Sequence, residues 1–242
     1  GFPPGDRFYV LEGGFDRVNV LVVNGAPRAI PFQDETFFLL RALRSLGNAG
    51  LKLQIQSVAA SSVRPADVAG RDVVILANVH LLPNDVLDSL RSAVDAGAGL
   101  LVGLGDQSDS ESVARMRDLH ALPVREIQGI DPQLGTDQGL AVGAVDTRVE
   151  GASGLAGATG ASLRKARVFR YAILAPPTPK GPQAHTWINL ENGAPLLVTR
   201  KEGRGRVALL TTSLDLDWSD LPAHPGYVPL LGTLVSHLAA RG

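Results

Sequence analysis

The sequence predicts an α/β fold around a largely parallel sheet. Three observations carry that reading. Short, near-continuous aliphatic runs suit strands covered on both faces. Amphipathic helical segments separate them. Their order through residues 18–105 is strand, helix, strand, strand, helix, strand, which demands crossover connections. The first run is Val18-Asn19-Val20-Leu21-Val22-Val23, ending at the turn signal Asn24-Gly25-Ala26-Pro27. Asp34 opens a helix to about Leu46, with Leu39, Leu43 and Leu46 on one face and Gly47 and Gly50 as the stop. Leu51 to Val58 alternates as a strand, and Asp72 to Ala77 is a buried strand ending at Asn78. Asn84 caps a helix with Leu87, Leu90 and Val94 inward and Gly97 as its close; Gly99 to Gly105 is a glycine-rich strand.

Residues 121–165 have no sustained period and read as irregular, with one or two short elements. Strand signals return at Ala166–Ala175, His185–Leu190, Leu196–Lys201 and Arg206–Thr212, with Gly203-Arg204-Gly205 as a hairpin turn. Pro225 to Ala240 is a closing helix with Val228, Leu231, Leu234, Val235 and Leu238 apolar. Residues 1–17 stand apart. Their alternating stretch Arg7–Leu11 lies between glycine turns and cannot bury itself, so it borrows a partner either here or in an upstream module. The α/β domain takes residues 18–242. A chain that begins at Gly1 reads as a piece of a longer protein.

Composition excludes several classes. The 242 residues are 45% hydrophobic and 19% charged, which rules out a disordered tail and a coiled coil. A net charge of −1 leaves no electrostatic footprint for nucleic acid or an anionic membrane. No apolar run reaches the ~18 residues of a membrane-spanning helix. With no cysteine there is no disulfide, thiolate metal site or cysteine nucleophile. His80, His120, His185, His224 and His237 match no metal-ligand spacing, and no G-x-S-x-G elbow offers a serine nucleophile.

Ligand groups in open α/β sheets sit beyond the carboxyl ends of the strands. That places a candidate cleft at Asn24, Gly25, His80, Gly105, Asp106, Asp215, Asp217 and Trp218, with no catalytic residue, metal or cofactor assigned. Gly103-Leu104-Gly105-Asp106-Gln107-Ser108 misses the dinucleotide fingerprint, since Ser108 stands at the third glycine, and reads as a tight turn. The alternating carboxylates of Asp215-Leu216-Asp217-Trp218-Ser219-Asp220 are of a kind that holds calcium, but lack EF-hand spacing. The plainer expectation is that Asp215 and Asp217 accept backbone amides in a turn, Asp220 or Ser219 caps a helical turn, and Trp218 plugs the core. His80 either faces the cleft mouth or is a partly buried structural histidine. Asp34-Glu35 complement a helix N-terminus, with an acid–base pair as the alternative. Arg164, Lys165, Arg167 and Arg170 read as solvated surface, with partner docking as the alternative.

Together these residues resemble a known group. Val20–Pro27 resembles the opening strand of class I glutamine amidotransferase-like domains, and in particular of those within bacterial membrane proteins of the BatA/aerotolerance type. The acidic-aromatic stretch Asp34–Phe38, the glycine-rich Gly97–Gly105, and the closing run from Gly205-Arg206-Val207 through Thr211, Asp215, Asp217-Trp218, Leu221-Pro222 and Pro225 to Tyr227-Val228-Pro229-Leu230 match the same pattern. Residues 7–11 are similar to the last strand of the β-sandwich that often precedes such domains, so the resemblance makes residues 1–17 that tail strand or a linker. Asn24 departs from the usual Asp. The resemblance implies a three-layer α/β sandwich with a mostly parallel sheet, flavodoxin-like in architecture. Active amidotransferases carry their cysteine after the glycine-rich strand, where this chain reads Gly105-Asp106, so glutaminase chemistry is not expected.

The resulting expectation is a non-catalytic amidotransferase-like domain of a membrane-anchored bacterial envelope protein, acting in protein interaction or ligand sensing. Its location would be the inner membrane with the domain extracytoplasmic, its partners proteins at that membrane, with no nucleic acid and with membrane contact only through segments outside this chain. The alternative is a hydrolase or sugar-binding module using Asp106, His80 and Asp215, by analogy with trehalose-utilisation-like relatives of the fold. An open, polar cleft favours the alternative; a cleft plugged by side chains opposes it.

Overall fold

In the computed structural model, which describes residues 17–118, 122–124, 126–131, 139–175 and 183–240, a nine-stranded sheet runs through the molecule. The strand expected at Arg7–Leu11 lies outside the described residues. One half of the sheet is parallel. It holds β1 (Val18–Asn24), β2 (Leu53–Ala59), β3 (Val73–Ala77), β4 (Gly99–Gly103) and β11 (Gly205–Leu210), side by side in the order β2-β1-β3-β4-β11. The other half is antiparallel: β10 (Pro195–Glu202), β9 (His185–Leu190), β6 (Leu140–Val145) and β7 (Arg167–Val168) continue the sheet beyond β11. The expected turn at Gly203-Arg204 makes this switch, because so short a connection joins only antiparallel strands. Strands β5 (Ile127–Asp131) and β8 (Tyr171–Leu174) form a separate antiparallel pair.

Two buried clusters lie on opposite faces of the sheet, so the molecule has three layers. Along β1, Val18, Val20 and Val22 face one cluster, and Leu21 and Val23 face the other. The first cluster is closed by α1 (Phe37–Asn48), through Leu39, Leu43 and Leu46, and by α6 (Tyr227–Ala239); the short α5 (Ala158–Leu163) adds Leu163. The second is closed by α2 (Pro65–Val68), α3 (Asn84–Asp95) and α4 (Ser110–Asp118), with Leu87, Leu90 and Val94 inward as their spacing predicts. Strands covered on both sides tolerate no charge. Val22→Asp, at a fully buried site, is expected to lower stability by about 3–5 kcal/mol in urea titration.

Two helix starts differ from the sequence reading. α1 begins at Phe37, three residues after Asp34, because that carboxylate is used earlier. It accepts the Thr36 N–H at 2.9 Å, the Thr36 hydroxyl at 2.7 Å and the Arg28 N–H at 3.0 Å, closing a loop before the helix. Asn84 is the first residue of α3 and caps nothing; its Oδ1 accepts from Arg115 on α4. Helix α2 went unread, although Pro65 at its first position and Asp67 accepting the Arg64 N–H at 2.9 Å are ordinary start signals.

The strand register matters for the site. Asn24, Ala77, Gly103 and Leu210 lie in one row across β1, β3, β4 and β11, so four strands end flush. The chain segments that leave this row meet immediately above it.

Candidate functional site

The centre of that meeting point is Asn78. It follows β3 with φ of +50°, the sole positive value at a non-glycine among the described residues, and asparagine is a residue type that accepts this conformation. Two glycines make room for it. A Cβ on Gly25 would sit 1.9 Å from the Asn78 carbonyl oxygen, and a Cβ on Gly105 would sit 2.3 Å from the Asn78 Cγ. The side-chain amide is held at both ends: Nδ2 donates to Glu35 Oε2 at 2.9 Å, and Oδ1 accepts the Gln107 N–H at 2.8 Å.

Beneath Asn78 lies Glu35, only 2% exposed. Its second oxygen, Oε1, is buried without a hydrogen-bond partner. Burial, reinforced by the charges of Asp215 and Asp217, raises the Glu35 carboxyl to about 8, with the Asn78 amide opposing. Asp215 is 3% exposed. Burial also pushes it above the usual carboxylate range, against the Asp217 backbone N–H and the Ser213 hydroxyl. Tyr227, at the start of α6, is buried beside both acids; its hydroxyl donates to the Leu214 carbonyl at 2.9 Å and is held far above the ordinary tyrosine range by burial. The group is therefore two carboxyls and a phenol under an asparagine lid. It can store a proton at neutral pH, on a carboxyl walled off from solvent.

The residues named from sequence divide into five arrangements. Gly25 and Gly105 meet at Asn78. Asn24 serves the loop: Nδ2 reaches both Asp34 oxygens at 3.0 and 2.9 Å, and Oδ1 accepts the Ala26 N–H at 3.0 Å. The indole N–H of Trp218, a residue 1% exposed, donates to Asp106 at 2.8 Å, and Arg170 reaches the same Asp106 oxygen at 3.2 Å. Trp218 plugs the core as expected. Asp215 accepts the Asp217 N–H at 2.9 Å, as expected of a turn, but Asp217 itself pairs with Arg28 at 3.2 Å. His80 sits outside the plug on an exposed loop, its Nδ1 3.1 Å from the Gln107 carbonyl and 3.5 Å from Asp109.

The remaining expectations resolve similarly. The Gly103–Ser108 stretch is a tight turn, with the Gly105 N–H donating to the Ser108 hydroxyl at 3.2 Å. Asp220 makes no side-chain cap; it accepts the Arg167 N–H and contacts His224 Nε2 at 3.1 Å. Asp215, Asp217 and Asp220 thus serve separate partners, and among the described residues no group of three acids or histidines could hold a metal ion. Arg164, Lys165, Arg167 and Arg170 are all exposed, as expected of solvated surface, and Arg170 pairs there with Asp106 at 3.2 Å. Tyr227 has no part in the site expected from sequence, whereas Asn78 enters there only as a strand end and Glu35 only as one of an acid pair.

No family model matches the chain, and no curated protein matches it. Solved structures do. A cytoplasmic protein of Salmonella typhimurium superposes with a TM-score of 0.69 at 17% identity, over 93% of this chain and 100% of its own. A second cytoplasmic protein, from Salmonella typhimurium LT2, gives 0.66 at 16% identity, over 91% and 99%. A ThuA-like protein from Bacteroides uniformis ATCC 8492 gives 0.60 at 11%, over 97% and 95%. At these identities the likeness shows a shared fold: mixed α/β with a large, mostly parallel central sheet. The expected location, an extracytoplasmic domain of an inner-membrane protein, is corrected by these findings. The two Salmonella proteins are described as cytoplasmic, and among the described residues no helix is long and apolar enough to cross a membrane.

Proposed function

We propose that the chain is a non-catalytic α/β domain of the amidotransferase-like, flavodoxin-like kind, acting through interaction with other proteins. One observation carries the reading. The Asn78 side chain and backbone occupy the space at Gly25 and Gly105, and the acids below them are sealed. Leu214 adds to the plug, its Cδ1 2.6 Å from where a Cβ on Gly103 would stand. A substrate entering at the strand ends would have to displace Asn78 and break both of its amide hydrogen bonds. The chain also lacks the cysteine that glutaminase chemistry requires.

A second reading, a hydrolase or sugar-binding module at the same cleft, has one observation in its favour. Glu35 is a neutral carboxyl near pH 7 with an unpartnered oxygen, the state of a general acid. A thermal-shift screen against calcium, zinc, common sugars, nucleotides and glutamine separates the two. Occupancy at about 100 times the dissociation constant adds roughly 2.7 kcal/mol and moves the midpoint by several degrees. No shift is expected with any of them. A reproducible shift with one ligand class, abolished by Glu35→Gln, replaces the non-catalytic reading with the second.

A further inference from the structure

The proposed protein-interaction role, on which this inference rests, needs a surface, and the sheet provides one at its other end. Strand β2 is the terminal strand of the parallel half and, among the described residues, pairs only with β1. Alternate backbone N–H and C=O groups along Leu53–Ala59 therefore face away from the sheet. The edge carries none of the usual protections: Leu-Gln-Ile-Gln-Ser-Val-Ala contains no lysine, no other charge and no proline.

Beside this edge, on the α1 face, runs a groove of about 480 Å³ lined by Leu43, Arg44, Gly47, Lys52, Leu53 and Ile55. Gly47 keeps it open, since a Cβ there would meet no atom within 4 Å. Leu53 and Ile55 are only partly buried against the core and show their remaining surface to the groove.

The charge around the groove is one-sided. The chain as a whole balances 23 basic residues with 24 acidic ones. Between Thr36 and Val63, which spans α1 and β2, there is no Asp or Glu, whereas Arg41, Arg44 and Lys52 all fall there. Arg41 lies over the Phe37 ring, 4.6 Å from its centroid. Arg44 and Lys52 are exposed on the groove wall and, among the described residues, form no ion pair.

We infer that the β2 edge and the groove beside it dock an extended acidic–aliphatic segment of a partner protein, added to the sheet as a further strand. Main-chain hydrogen bonds to β2 give affinity, and the two-residue period of a strand gives specificity. On the groove side, aliphatic side chains of the segment meet Leu53 and Ile55, and carboxylates meet Arg44 and Lys52. A second copy of this chain is the poorer occupant, because it would bring the same acid-free, basic stretch against itself.

The test uses the full chain and a short fluorescein-labelled peptide alternating glutamate with valine, measured by fluorescence anisotropy at low salt. Its counterparts are a lysine–valine peptide and a glutamate peptide with proline in place of valine, which cannot donate to a ladder. Saturable binding of the glutamate–valine peptide alone is expected. The double variant Arg44→Glu, Lys52→Glu should weaken it by about tenfold or more and transfer preference to the lysine peptide. Gly47→Leu, at a helix position with open space, should fill the groove and weaken binding with the fold intact by circular dichroism. Failure of the acidic peptide to bind, equal binding of the proline peptide, or binding unchanged in both variants overturns the proposal. So does binding that appears only after residues 1–16 are removed, which makes the chain's own segment the occupant, or self-association blocked by the same substitutions, which makes it a second copy. A ligand shift in the cleft screen with peptide binding retained overturns the non-catalytic reading and leaves this surface standing.

Discussion

Gly25→Ala is expected to lower stability by about 3 kcal/mol or more, a large loss for one methyl group. The added carbon would lie 1.9 Å from the Asn78 carbonyl oxygen, 2.4 Å from its carbon and 2.6 Å from the Val79 Cα, all of them backbone. No rotamer change relieves that clash. The backbone after β1 or after β3 must move, and the two are tied by the Gly25 N–H to the Ala77 carbonyl at 2.8 Å. Gly105→Ala meets the Asn78 side chain instead, at 2.3 to 2.7 Å. The two substitutions therefore respond differently to a second change. Asn78→Gly removes the side chain and suits a φ of +50°, so it should restore most of what Gly105→Ala loses and little of what Gly25→Ala loses. Urea midpoints of the five variants measure this. Equal rescue of both would mean that the lid is held by its side chain alone.

The contribution of Glu35 to stability should fall as pH rises from about 4.5 to 8, and the net fall should appear above about 6.5, where His237 no longer opposes it. The folded-state value of Glu35 is raised to about 8 from an ordinary 4.5. Below the ordinary value both folded and unfolded chains hold the proton, and the stabilisation is complete. Between the two values the unfolded chain has released it and the folded chain has not, so unfolding is increasingly favoured. Through about 8 the loss levels off, at a total on the order of 5 kcal/mol. Asp215, also raised, acts in the same direction. Glu35→Gln cannot ionise and should flatten the profile above neutrality, where denaturation at several pH values shows it. His237 acts in the opposite direction between about 4 and 6.5. Burial, together with the Arg206 charge, lowers it to about 4 despite Glu150, and its ring packs 4.9 Å from Trp187. A histidine kept neutral in the fold contributes stability above its ordinary 6.5 that is lost as pH falls towards 4. An unchanged slope above neutrality in Glu35→Gln would mean that Glu35 is ionised in the folded protein.

The fold class was legible because it rests on periodicity. Leu39, Leu43 and Leu46 of α1 and Leu87, Leu90 and Val94 of α3 are buried where their spacing puts them, and the β1, β3 and β4 runs are strands covered on both sides. The location of the site was legible from the rule that ligand groups gather at strand ends. Its occupancy was not. Asp34 and Glu35 are adjacent acids, and nothing in the pair says which one turns inward. The shorter Asp34 reaches the Thr36 and Arg28 amides, and the longer Glu35 reaches under the sheet to Asn78. The left-handed conformation of Asn78 likewise depends on how closely Gly25 and Gly105 approach it across three strands, a property of tertiary packing alone.

The place of β11 in the sheet sets the order in which the molecule can be completed. It lies between β4 and the antiparallel half, pairing Arg206 with Gly99, so its parallel partner was synthesised about a hundred residues earlier. Until the ribosome has released residues 205–239, β4 has an open edge and α6 is missing from the first core. The parallel half of the sheet therefore cannot mature before those residues emerge, and a chain cut before β11 would expose an aliphatic strand to its neighbours. The slow step in folding should be the docking of this last strand and helix, with aggregation as its competitor.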